Sequence, residues 1–171
     1  MNESYAILGG GCFWCLDAVY RKFNGVLDVV SGYAGGSAED ANYKAVCTGT
    51  TGHIEVVKII FDSDVISYKT LLDIFWKCHD PTSIDKQGND AGPQYRSVIF
   101  YVNNEQKETA SQAKEEIQKS MSSPVVTDVR PLENFYEAEM YHQNYFEKNP
   151  GNPYCYYVIK PKLETVKKYH F

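Results

Sequence analysis

Tyr5-Ala6-Ile7-Leu8-Gly9-Gly10-Gly11-Cys12-Phe13-Trp14-Cys15 reads as a strand, a turn and a helix start in immediate succession. Tyr5 to Leu8 is a short apolar run of the kind that fills a buried strand. The three glycines then permit a tight turn and close backbone approach. Beyond them Cys12, Leu16, Val19, Tyr20 and Phe23 recur at helical spacing. Asn24-Gly25 closes that helix, glycine being a common residue just past a helix C-terminus. Cys12 therefore opens an amphipathic helix. There the unpaired amide N–H groups and the positive end of the helix dipole favour a thiolate, which is the nucleophilic form of cysteine. The bland alternative is a small cysteine packed into a crowded corner.

Phe13 and Trp14 cannot both face the side that Leu16 and Val19 occupy. At least one is expected beside Cys12 at the helix mouth, either as ordinary packing or as an aromatic wall for a small apolar group such as a methyl. Cys12 and Cys15 form a C-x-x-C pair. The pair suits a dithiol–disulfide couple. As half of a zinc site it lacks a second pair, so no metal is expected.

Outward from this corner, strands and helices mix. Val26 to Val30 reads as a strand and Ser31 to Gly36 as a loop. His53 to Phe61 is the clearest strand. Glu55, Val57, Ile59 and Phe61 share one face, and Ile54, Val56, Lys58 and Ile60 the other. Tyr68, Leu71, Leu72, Phe75 and Cys78 form a helical stripe opening near Ser67 and ending before Pro81. A polar loop runs from His79 to Gln94; loops that long tend to be functional. Ser97 to Val102 and Val125 to Val129 read as strands, Asn104 to Met121 and Glu137 to Lys148 as helices. Asn149-Pro150-Gly151-Asn152-Pro153 breaks the last of these. The pattern predicts an α/β or α+β fold with helices on a mixed sheet, in one domain over residues 1–171. On strand periodicity Glu55 is either a residue in water near a strand end or a partly desolvated carboxyl. In the second case its pKa rises and it serves as a general acid near neutral pH.

Composition narrows the function. A hydrophobic share of 43% and a charged share of 23% are those of an ordinary globular chain. Net charge is −5, which argues against nucleic acid or an anionic membrane as partner. No stretch is apolar for long enough to span a bilayer. Met1 to Tyr5 carries no basic start to a signal peptide. The cysteines, Cys12, Cys15, Cys47, Cys78 and Cys155, are odd in number and unevenly spaced. That suits reactive or buried thiols in a reducing, cytoplasmic setting. A monomer is expected, because no long apolar stripe lacks an intramolecular partner.

Several blocks in order resemble the A-type peptide methionine sulfoxide reductases. They are Gly11-Cys12-Phe13-Trp14, Gly32-Tyr33-Ala34-Gly35-Gly36, Tyr43 to Gly49, Thr51 to Val57, Phe75-Trp76 with His79-Asp80-Pro81-Thr82, Gln87 to Asp90, Gln94 to Ser97, Phe135-Tyr136 with Ala138-Glu139, and Tyr141-His142-Gln143. The resemblance covers roughly residues 5 to 162. It implies a two-layer sandwich with a mixed sheet and a largely irregular C-terminal segment. It implies that Cys12 is the nucleophile, that Phe13 and Trp14 wall a pocket for the substrate methyl, that Tyr43, Glu55 and Tyr95 bind the sulfoxide oxygen, and that Asp90 is a further pocket residue. Implied with these are reduction of the S epimer in oxidised proteins, a Cys12 sulfenic acid, a disulfide, and recycling by thioredoxin or another dithiol, with no bound cofactor. Cys155 resembles the recycling cysteine of many relatives, and its Pro/Gly/Asn-rich setting from about 149 onwards suggests mobility.

The chain departs from the family at Cys15, where glycine is usual, and at Pro93, where threonine is common. Cys15 is a further redox candidate, but in an intact helix its geometry for a disulfide with Cys12 is expected to be poor. Cys155 is therefore expected to resolve the sulfenic acid. Cys47 and Cys78 are expected as buried small hydrophobes, and His53, His79 and His142 as structural. Two other readings stay open from the residues: a thiol–disulfide oxidoreductase using Cys12 and Cys15, and a non-catalytic module with an aromatic pocket.

Overall fold

The computed structural model describes residues 1–171. Strand β1 (Glu3–Gly9) leads through the glycine turn into α1 (Phe13–Tyr20). Then come β2 (Val26–Ala34), α2 (Tyr43–Val46), β3 (Ile54–Asp62), α3 (Tyr68–Cys78) and a small hairpin of β4 (Lys86–Gln87) and β5 (Asp90–Ala91). They are followed by β6 (Val98–Tyr101), α4 (Asn104–Gln118), β7 (Asp128–Pro131), β8 (Phe135–Glu137), α5 (Tyr145–Lys148) and α6 (Lys160–Lys167).

Six strands form one sheet in the order β7-β6-β1-β3-β2-β8. Every pairing is antiparallel except β6 with β7, so the sheet is mixed. Strand alternation sorts the side chains into two layers. Ala6, Leu8, Val57, Ile59, Phe61 and Ile99 pack with α1, α3, α4 and the C-terminal helix in one large core. Ile7, Ile54, Val56, Val98 and Phe100 face the other way, into a smaller cluster with Leu132 and Phe135. The expected face of β3, with Glu55 on the helix side, is the observed one.

Two glycines in the first turn have distinct physical reasons. Gly11 has φ +84°, which side chains with a Cβ disfavour. Gly10 lies so close to the His79 ring that a Cβ would sit 2.8 Å from it. The turn is thereby pressed onto the end of α3, and the Gly11 amide donates to the Tyr95 carbonyl at 3.2 Å. Cys12 and Tyr95 are brought together by the backbone itself.

Three local expectations are corrected. Residues 31–34 continue β2 instead of forming a loop, because β3 on one side and β8 on the other pair with them. The expected 137–148 helix is strand β8, a tight turn at Met140–His142 and the short α5; Gln143 diverts this chain by hydrogen bonding to the backbone of Ser31 and Ala138. The expected irregular C-terminal segment is helical over 153–167. Asn152 caps it, its side chain accepting from the Tyr154 amide at 2.8 Å, and Cys155, Ile159, Leu163 and Val166 bury one face. That stripe has helical spacing, behind a Pro/Gly cluster that reads as a break. Cys155–Ile159 forms a wider π turn just ahead of Pro161, whose missing N–H leaves one backbone acceptor free.

Candidate active site

Cys12 sits at the N-cap of α1 in extended conformation, with φ −66° and ψ 131°. Its sulfur makes no capping hydrogen bond, although the Trp14 amide lies close enough to favour its charge. The helix end does not prevail. Burial pushes the thiol well above its ordinary pKa, the Glu55 and Cys15 charges add to this, and Asp90 adds a smaller push. The expected resting thiolate is thus corrected to a neutral thiol. Desolvation of a residue that is 8% exposed outweighs the partial charge of the helix end.

Glu55 is 1% exposed. Burial raises its carboxyl to a pKa of about 8, against opposing hydrogen bonds from the Phe13 amide and the Cys12 thiol. The Phe13 N–H donates to Glu55 Oε1 at 3.1 Å. At neutral pH this carboxyl holds a proton beside the Cys12 thiol. Tyr43 opens α2, held there by its own amide donating to Glu139 Oε2 at 2.9 Å. Tyr95 ends the tight turn Pro93–Tyr95 that follows the β4–β5 hairpin. Burial raises both phenols, and the charges of Glu55 and Cys12 raise them further. Both therefore remain hydrogen-bond donors around the Cys12–Glu55 pair. Asp90, on β5, acts electrostatically on Cys12 and Glu55. Its Oδ2 accepts from the Tyr154 hydroxyl at 2.6 Å.

The two aromatic residues after Cys12 divide. Phe13 is fully buried, 5.7 Å from the Tyr33 ring and 5.0 Å from His142. Trp14 is half-buried and is the one at the helix mouth. Tyr145 stacks on it at 3.6 Å, the edge of Tyr154 meets it at 5.7 Å, and its indole N–H donates to His142 Nδ1 at 3.0 Å.

Sequence reasoning set His142 aside as structural. In the fold its ring contacts Phe13, Trp14 and Tyr43, so it belongs to the site. Tyr154 and Glu139 were also missed. Glu139 holds both the Tyr43 amide and the Tyr33 hydroxyl. The available signal was their place within, or next to, the quoted family blocks. His53 and His79 are structural: His53 bonds the Gly36 amide and the Ser37 carbonyl, and His79 the Phe75 carbonyl and Ser97. No group of three or more His, Cys, Asp or Glu residues is placed to hold a metal.

All five cysteines are free. Cys78 is buried as expected. Cys47 is exposed, a correction: it closes the four-residue α2, which leaves little cover over its end. Cys155 is 1% exposed, on the buried face of the C-terminal helix.

Residues 4–171 match the family described as peptide methionine sulfoxide reductase. The chain belongs to that family. It is 60% identical over 163 residues to the peptide methionine sulfoxide reductase MsrA of Nautilia profundicola, covering 95% of this chain and 94% of that one. It is 55% identical over 166 residues to the enzyme of the same name from Leptospira borgpetersenii, covering 97% and 94%. The reduced form of Mxr1 from Saccharomyces cerevisiae superposes with a TM-score of 0.85 at 36% identity, over 90% of each chain. Mxr1 in complex with Trx2 superposes with a TM-score of 0.61 at 27% identity, over 84% of this chain and 85% of that one. A peptide methionine sulfoxide reductase is an oxidoreductase; in this chain the Glu55 carboxyl, carried on β3, meets the start of α1 beside the Cys12 thiol. No helix is long and apolar enough to cross a membrane.

Proposed function

We propose that this chain reduces methionine-S-sulfoxide, in oxidised proteins and as the free amino acid, with Cys12 as nucleophile and Glu55 as acid. The observation that carries the reading is the convergence of a buried thiol and a buried, protonated carboxyl on the first turn of one helix. Cys12 sulfur attacks the sulfoxide sulfur as its S–H proton leaves. The Glu55 proton goes to the oxygen, the sulfur–oxygen bond of the substrate breaks, and the oxygen leaves as water with the thiol proton. Water then attacks the Cys12 sulfur, and the bond between the two sulfurs breaks with its electron pair going to the substrate sulfur. Methionine departs, and the proton released by the water returns to Glu55. Cys12 is left as a sulfenic acid. No net proton is taken up or released, so the step is neutral overall.

Tyr43 and Tyr95 donate hydrogen bonds to the oxygen as charge builds there. Phe13 and Trp14 wall the methyl pocket, and Asp90 orients the polar part of the substrate. Cys155 enters the disulfide that follows, and an external dithiol, thioredoxin, reduces it by exchange. Support for thioredoxin comes from Mxr1, solved in complex with Trx2. The enzyme is a single catalytic domain, monomeric and cytoplasmic, with a segment from about 149 that moves to deliver Cys155. Its five free thiols suit a reducing compartment.

The test supplies racemic methionine sulfoxide peptide and a dithiol and follows each epimer. Loss of the S epimer alone, abolished in Cys12→Ser, is expected. Binding without turnover in the native protein would overturn the reading.

A further inference from the structure

Beside the reacting groups lies a second concavity that the reaction does not use. A cavity of about 480 Å³ opens between the end of α3, the tip of the β4–β5 hairpin and the C-terminal helix, within the size range of ligand sites. Asp90 and Tyr154 stand in its wall. The same two residues border the site of Cys12: Asp90 acts on the Cys12 sulfur, and Tyr154 meets Trp14 edge-on at 5.7 Å. The two spaces therefore share a partition, the 2.6 Å hydrogen bond from Tyr154 to Asp90.

The lining is rich in positive charge and donors. Lys162 is half-buried in the wall, and Lys77 is exposed at the rim. The lysines that form ion pairs are Lys69 and Lys167, so both ammonium groups here are unpaired. Lys77 rests over the Tyr169 ring at 4.7 Å, which leaves its charge in place. The Lys162 charge reaches Cys15, Cys78 and His79, so its ammonium points to the inner end of the cavity. The side chains of Asn89 and the 74% exposed Tyr157 add further donors. The two carboxylates of the lining are already engaged: Asp90 accepts from Tyr154, and Asp80 from the amide and hydroxyl of Thr82. A partly buried cation without a counter-charge has lost hydration and gained nothing in return. An anionic group in the cavity restores the balance.

We infer that this cavity is a subsite for an acidic side chain of the polypeptide substrate, two or three residues from the methionine sulfoxide. This rests on the reductase reading above. An extended chain advances about 3.3 Å per residue, so two or three residues carry it past the Tyr154 ring and over the cavity. A glutamate carboxylate there takes hydrogen bonds from Lys162, while its methylenes pack on Tyr157 and Val158. A lysine at the same place meets two like charges. The subsite sorts protein substrates without touching the reacting atoms. Because Lys162 and Tyr157 belong to the C-terminal helix, it is complete only while that helix is docked, with all five thiols free, which is the form that meets sulfoxide.

The test uses short peptides with a central methionine-S-sulfoxide and Glu, Gln or Lys two or three residues to either side, reduced by the native protein with a small dithiol. On one side of the sulfoxide, kcat/KM for Glu should exceed that for Gln by roughly 3- to 10-fold, carried by KM, with Lys below Gln. The preference should fade at about 0.5 M salt, where screening acts within a few ångströms. The Glu/Gln ratio is read within each variant, so a general loss of activity cancels. It should be lost in Lys162→Met, persist in Lys162→Arg and fall in part in Lys77→Met. Should Lys162→Met not fold, the native series and Lys77→Met decide alone. Equal kcat/KM for Glu and Gln on both sides in the native protein, or a native ratio in Lys162→Met, would overturn the subsite and leave the reductase reading intact. So would a Lys162→Met defect that appears only with thioredoxin as reductant, which would assign the cavity to that partner. No loss of sulfoxide from any peptide would strike the reductase reading instead.

Discussion

The Phe13 amide donates to the Glu55 carboxyl at 3.1 Å, across 42 residues of sequence. The first free N–H of α1 is spent on the Glu55 carboxyl and not on the Cys12 sulfur. One helix end therefore holds both groups, Cys12 as its cap and Glu55 reaching it from β3.

Glu55→Gln keeps an acceptor for the Phe13 amide but has no proton to give. The methionine-forming step should fall by about 10²–10⁴-fold, measured in a single turnover. In the native protein that step should decline as pH rises through about 8, where the carboxyl ionises. The stability effect has the same sign. A carboxyl raised from 4.5 to about 8 binds a proton in the folded state that the unfolded state lacks. Its unfavourable contribution therefore grows from pH 4.5 to 8. Urea midpoints of Glu55→Gln relative to the native protein should rise over that window.

Resting Cys12 should alkylate slowly. Its pKa lies well above the ordinary 9, so under about 1% ionises at pH 7. Iodoacetamide rates at Cys12, followed by mass spectrometry, should keep climbing past pH 9 without a plateau. Glu55→Gln should shift the profile to lower pH, since a neighbouring negative charge is gone. A plateau near pH 6 would mean that the helix end prevails after all.

Tyr154→Phe removes the 2.6 Å hydrogen bond to Asp90 and the contact with Cys15, while its ring still meets Trp14. A hydrogen bond to a charged group contributes about 1.5–3 kcal/mol. If it holds the C-terminal helix down, Cys155 should become roughly 10- to 100-fold more accessible to a thiol reagent through local opening. Global stability should change less than Cys155 labelling does.

Gly10→Ala places a Cβ 2.8 Å from the His79 ring and 3.2 Å from Phe75. Neither ring is free to retreat: His79 is held by the Phe75 carbonyl and Ser97. A loss of about 1–3 kcal/mol is expected from overpacking. Displacement of the turn should also lower kcat/KM, by as much as about 100-fold for a shift of one ångström. Denaturation and steady-state kinetics on the same variant check both.

His79 should make the protein acid-sensitive. Burial lowers its pKa from 6.5 to about 4, so the unfolded chain takes up a proton that the folded one refuses. The stabilisation is complete above pH 6.5 and is lost as pH falls towards 4. The slope of unfolding free energy against pH should approach one proton per molecule in that window. An NMR titration of the His79 ring that inflects near 6.5 in the folded protein would contradict this.

Local pattern was enough for the strand–turn–helix of residues 5–20, the two faces of β3 and the α3 stripe, because alternation and helical spacing are properties of neighbours in sequence. It also placed Cys12 at a helix start and Glu55 on the face of Val57, Ile59 and Phe61, while leaving open whether that carboxyl meets water; the fold buries it. Where neighbours in space decide, local pattern misled. Residues 31–34 look like a Gly-rich loop, yet two flanking strands supply their hydrogen bonds. The Pro/Gly cluster before Cys155 masked a helix whose buried stripe only makes sense against α1 and α3.

The family resemblance named Tyr43, Tyr95 and Asp90; composition and periodicity alone did not, since nothing in a short polar loop says what it faces. His142, Tyr154 and Glu139 became site residues only through contacts spanning 64 to 128 positions. The sequence by itself determined that a cysteine would cap a helix beside a Gly-rich turn. Tertiary structure decided its charge: the same helix end that favours a thiolate in water is buried here among a carboxyl, a second thiol and three phenols, and desolvation depends on everything packed around a group, not on the residues that precede it.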